Sequence, residues 1–171
     1  LIAGIFYRFF QITGVTHLNF VLQSFSLFLF AGFLFFGVKT FKLIIKEKVY
    51  LRIATLLLFL WPGGIMNSIR ISNDSLFYFL WAICFYFLVK WMQNGGRKNF
   101  YIACVVVLLS LFTKTSGLIL VVLTLTALLL KVFLEMPEKR KYFSRIFSAV
   151  IAYRREIVAF FLISVLGLAT I

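Results

Sequence analysis

Residues 18–38 carry no charged side chain, and further uncharged apolar stretches occupy 53–61, 75–89, 100–113, 115–130 and 157–171. Stretches of this kind fix the solvent. A bilayer core of about 30 Å offers no partners to backbone amides, so segments of roughly 20 apolar residues must be helices or belong to a closed barrel. The stretches are continuously apolar rather than alternating, which selects helices. Composition agrees: 63% of residues are hydrophobic and the mean hydropathy is +1.06, against roughly 45–50% apolar residues in an ordinary soluble domain. The expected fold class is all-α, a polytopic helical membrane protein of about six spans or part-spans. Residues 1–171 read as a single transmembrane domain. Because the chain begins at Leu1 and stops within an apolar stretch, both ends are expected to be cut, and no signal peptide is read at the start.

A net charge of +13 invites a nucleic-acid reading, but the cations lie in the gaps between apolar stretches, where cytoplasmic loops concentrate Lys and Arg. Lys39, Lys42, Lys46, Lys48 and Arg52 form one basic cluster, Lys90, Arg97 and Lys98 a second, and Lys131, Lys139, Arg140, Lys141, Arg145, Arg154 and Arg155 a third. All three are expected on the cytoplasmic side. Only Arg8, Arg70 and Lys114 remain for the other face, with Asp74 as its one acid.

This parity makes a specific demand on residues 100–130. As one helix the stretch would reach about 46 Å, too long for an upright span, yet both its flanks are basic. It must therefore cross twice. Its one polar interruption is Thr113-Lys114-Thr115-Ser116-Gly117, so two short helices are predicted to meet there. Upstream, Pro62-Gly63-Gly64 breaks the second span, and a polar segment from Asn67 to Asp74 reaches the exterior.

Several residues invite a chemical reading. Ser72 or Asn73 can cap the helix that follows, Asp74 meets the positive end of its dipole, and Arg70 stands four residues before Asp74, the spacing of an ion pair if the helix begins early. Lys114 is costly among apolar neighbours unless it faces water, a partner or an anion, or snorkels from a helix end. His17, with Asn19 and Gln23, reads as interfacial, and residues 1–14 as an interfacial helix or the tail of a span. Residues 137–155 suit a basic amphipathic helix on anionic lipid or a solvated loop. Cys84 and Cys104 sit in apolar stretches without metal-ligand spacing and read as packing residues, so no metal is indicated. Trp61, Trp81 and Trp91 suit interfacial belts or packing.

Taken in order, Ile5-Phe6-Tyr7-Arg8-Phe9-Phe10, Trp61-Pro62, Arg70-Ile71-Ser72-Asn73-Asp74-Ser75-Leu76 and Leu111-Phe112-Thr113-Lys114-Thr115-Ser116-Gly117-Leu118 resemble the membrane domain of the GT-C glycosyltransferases, such as protein O-mannosyltransferases and lipid A aminoarabinose transferases. The resemblance covers roughly residues 2–122. It implies an exterior cavity for a polyprenyl-phosphate sugar, with Arg70, Asn73, Asp74 and Lys114 as substrate-binding positions. It also implies a catalytic aspartate in a loop before Leu1, so no catalytic residue is assigned. The implied partners are membrane lipid, a lipid-linked sugar donor and an unidentified acceptor; no cofactor is assigned, and the placement of the cations argues against nucleic acid. The implied location is a bacterial inner membrane or the endoplasmic reticulum. A transporter or flippase, suggested by the broken helix pair, and a noncatalytic membrane subunit are the competing expectations.

Overall fold

A computed structural model describes residues 18–70, 72–134 and 153–168. The expectations for residues 1–14, His17 and the bulk of 137–155 lie outside the described residues. Within them the chain is helical, with no strand: α1 (Leu18–Ile44), α2 (Lys48–Phe59), α3 (Pro62–Ile69), α4 (Asn73–Asn94), α5 (Arg97–Thr113), a 3-10 turn (Thr115–Gly117), α6 (Leu118–Leu134) and α7 (Arg154–Leu168). The segments Phe20–Ile44, Lys48–Ile69, Asp74–Asn94 and Thr115–Leu134 are each long and apolar enough to cross a membrane. The all-α, multi-pass expectation is met. Internal packing gathers into two units that divide between Tyr86 and Phe87, inside α4.

In the first unit, α1 packs against α2 and α3. The break at Pro62 is gentler than the sequence suggests. Proline stands at the first position of α3, where the absent N–H would have no helical partner in any case, so the helix restarts at once and continues through Asn67 to Ile69. The polar segment therefore begins inside a helix. Lipid supplies little hydrophobic drive between helices, so contact depends on close approach. Phe79 packs on Gly32 and Leu58 on Gly37, at positions where a Cβ would collide with either side chain. Large apolar side chains such as Phe28 and Leu57 stay exposed, as suits a lipid-facing surface.

The second unit contains the end of α4, then α5, the 3-10 turn, α6 and α7. Lys131 near the end of α6 reaches the backbone of Trp91 and Met92, which a short link joins to the start of α5. At the opposite end of the pair, Gly117 lies against the backbone of Ser110. Helices α5 and α6 thus form an antiparallel hairpin with Lys114 at its apex, as the charge parity requires. Each helix has 17 residues, about 26 Å, because α5 starts at Arg97 and α6 runs to Leu134, beyond the apolar stretch at both ends. Helix α7 runs parallel to α5, with Glu156 beside Arg97 and Gly167 beside Leu111. Trp91, Phe100, Cys104, Val107, Leu120 and Thr124 are buried between these helices, and Cys84 is equally buried, so both cysteines are packing residues.

Candidate functional site

The link between α3 and α4 is built by serines. Helix α3 ends at Ile69, and Arg70 leaves it in an extended conformation (φ −84°, ψ 142°). Ser72 Oγ accepts the backbone N–H of Asp74 at 3.3 Å, which makes Ser72 the N-cap of α4. Ser75 Oγ donates to the Asn67 carbonyl at 2.9 Å, and Ser68 Oγ to the Ile65 carbonyl at 2.7 Å. Ser68 and Ser75 are buried, so the two helix ends are pinned from beneath while Arg70 is exposed and Asp74 is half-buried. Asp74 stands in the first turn of α4, where the helix dipole favours its charge. Because α4 starts only at Asn73, Arg70 lies outside it, and the helical four-residue pairing with Asp74 does not apply.

Below this link, the first unit holds an aromatic cleft of about 340 Å³ lined by Phe33, Leu58, Trp61, Phe77, Tyr78 and Trp81. Trp61 and Tyr78 meet edge to face at 5.2 Å, and Phe33 lies 5.7 Å from Trp61. Tyr78 is one helical turn beyond Asp74, about 6 Å along α4. A smaller hollow of about 240 Å³ lies between Phe20, Gln23, Ser24 and Leu27 of α1 and Ser68 and Ile69 of α3.

Lys114 belongs to the second unit. Its N–H closes α5 on the Ser110 carbonyl at 3.1 Å, its carbonyl accepts from Gly117 N–H at 2.8 Å, and its side chain is exposed at the apex. Thr113 Oγ1 also donates to the Ser110 carbonyl, at 2.7 Å. Gly117 is needed here on steric grounds, since a Cβ would stand 2.8 Å from the Ser110 carbonyl carbon and oxygen.

A second polar centre is absent from the sequence-based expectations. Lys131, assigned there to a cytoplasmic loop, is 3% exposed inside α6. Its Nζ donates to the Trp91 carbonyl at 2.6 Å and the Met92 carbonyl at 3.4 Å, and lies 4.6 Å above the Trp91 ring. Glu156 is 1% exposed, and its Oε1 accepts from Arg97 Nε at 3.0 Å. The only sequence signal was that Lys131 closes a long uncharged stretch, which places a lysine at a helix end without saying whose carbonyls it meets. These contacts fasten helix ends. Among the described residues, no three of His, Cys, Asp and Glu are grouped to hold an ion.

No protein-family model, curated protein or solved structure matches this chain.

Proposed function

We propose that the protein is an integral membrane glycosyltransferase that moves a sugar from a polyprenyl-phosphate donor to an acceptor on the periplasmic or lumenal face, with its basic loops cytoplasmic. The observation that carries this reading is the serine-pinned link that sets Asp74 one helical turn from an apolar, aromatic cleft, with Arg70 exposed in the extended segment just before it. An amphipathic donor needs both surfaces. The cleft suits an isoprenoid chain, and Arg70 suits the phosphate at its head. Lys114, exposed at the apex of a short hairpin, is another of the cations that the parity of the charge pattern sets opposite the basic loops.

The chemistry asks little of these residues. Phosphate is a good leaving group, so cations need only stabilise the charge that develops on it as the glycosidic bond breaks. A carboxylate must take the acceptor's proton. The resemblance assigns that role to an aspartate upstream, and Asp74 with Asn73 orients the acceptor or the donor head.

Transfer of a labelled sugar from a polyprenyl-phosphate donor by the full-length protein in proteoliposomes tests the reading. Arg70→Ala and Lys114→Ala should each lower transfer by about two orders of magnitude, the scale for loss of one electrostatic stabiliser, with membrane insertion unchanged. Full transfer in both variants would overturn the assignment. The interruption between α5 and α6 also suits a transporter or flippase. Protein-dependent movement of a lipid-linked sugar across the bilayer, without transfer, would favour that second reading.

A further inference from the structure

The connection between α1 and α2 concentrates cations. Lys39 and Lys42 lie three residues apart on α1, Lys46 sits in the connection, and Lys48 and Arg52 lie four apart on α2. All five are exposed, as is Glu47, the one acid among them. Among the described residues, no carboxylate lies within ion-pair distance of any of the five. Like charges at these helical spacings repel, so the arrangement favours an anion bound among them.

Length places the cluster at a membrane boundary. Helix α1 has 27 residues, about 40 Å, against a hydrocarbon core of about 30 Å. The uncharged stretch at 18–38 fills that core, which leaves the last turns of α1, with Lys39 and Lys42, at the level of the lipid headgroups. Lys39 Nζ lies 4.3 Å from the centre of the Phe35 ring, so its cation is held at the edge of the apolar zone. Around the same helix ends, Ile44, Val49, Tyr50 and Ile53 are also exposed, at 52%, 65%, 61% and 49%. A soluble polyanion would leave these apolar surfaces in water. A lipid covers them with acyl chain while its phosphate meets the lysines.

From this we infer that the α1–α2 connection, through Lys39, Lys42, Lys46, Lys48 and Arg52, is a binding site for the headgroups of anionic phospholipids. The site depends on the chain spanning a bilayer and is independent of the proposed sugar transfer and of which face is cytoplasmic.

The test uses the full-length protein in nanodiscs of equal phosphatidylcholine and phosphatidylglycerol, with retained lipid counted by native mass spectrometry. Phosphatidylglycerol should be enriched around the wild-type protein. The pairs Lys39→Gln with Lys42→Gln, and Lys48→Gln with Arg52→Gln, should each reduce the enrichment, by about fivefold for every cation removed. The matching Lys→Arg variants should retain it, which separates loss of charge from loss of fold. Unchanged enrichment in the Gln pairs would overturn the site. So would loss of enrichment in the Lys→Arg variants. Binding of polyglutamate in pure phosphatidylcholine nanodiscs, abolished by the same Gln pairs and without phosphatidylglycerol enrichment, would assign the cluster to an acidic protein segment and also overturn it.

Discussion

The ammonium of Lys131 donates to the carbonyl of Trp91 across 2.6 Å while lying 4.6 Å above the indole of that same residue. One side chain from α6 thereby caps the C-terminal end of α4, where helix carbonyls lack partners and the dipole is negative. Trp91 is held in turn by Phe100, 4.6 Å away, and by Tyr153, 6.3 Å away. The cation is buried because carbonyl and ring replace the water it gives up.

Replacing Lys131 by Met keeps the chain length and removes the charge. The Trp91 and Met92 carbonyls then lose a charged donor, a loss of about 1.5–3 kcal/mol. Unfolding by titration with a denaturing detergent should show this as an earlier midpoint. Membrane insertion should persist, since the apolar stretches are untouched.

Arg97 and Glu156 differ in how far each reaches solvent, at 54% and 1% side-chain exposure. Among the described residues, Glu156 Oε2 has no hydrogen-bond partner, so Arg97 supplies much of what holds this buried carboxylate. Arg97→Ala should therefore destabilise the second unit by about 1–3 kcal/mol, the cost of leaving a buried polar group unsatisfied. Adding Glu156→Leu should recover part of that loss, because an apolar pair avoids the desolvation of the charge. A double-mutant cycle on the same unfolding titration measures the difference.

The sequence was informative wherever charge or chain chemistry acts locally. Lys114 had to mark a reversal because both flanks of residues 100–130 are basic, and Ser72 is the residue type that caps a helix. Tertiary partners were hidden. Nothing near Lys131 in the chain names Trp91, which lies 40 positions earlier, and its charge alone reads as a loop residue. Pro62 misled in the other direction, since proline reads as a stop within a span but here starts the next helix. Gly32 and Gly37 carry no recognisable motif, and only the packing of Phe79 and Leu58 shows why they are small.

Gly117→Ala tests the α5–α6 reversal. The new methyl would meet the Ser110 backbone carbonyl at 2.8 Å and the Leu111 nitrogen at 2.9 Å, and backbone cannot move aside as a flexible side chain would. The turn must open, at a cost of about 1–3 kcal/mol. An earlier unfolding midpoint is expected. If Lys114 acts on a donor phosphate, sugar transfer should fall as well, because its position depends on this turn.

Orientation can be read directly by cysteine labelling. Cys84 and Cys104 are fully buried and can be replaced by Ala to give a silent background. In that background Lys46→Cys and Asn94→Cys, both at exposed positions, should react with a membrane-impermeant maleimide in inverted vesicles only. Ile69→Cys and Thr115→Cys, exposed at the opposite helix ends, should react only in right-side-out vesicles. The positive-inside rule sets which pair is cytoplasmic, while helix count sets which residues share a face. The two can fail separately. Reversed labelling of both pairs would refute the orientation yet leave Arg70 and Lys114 on one face. Labelling of Ile69→Cys and Thr115→Cys from opposite faces would contradict the helix count itself.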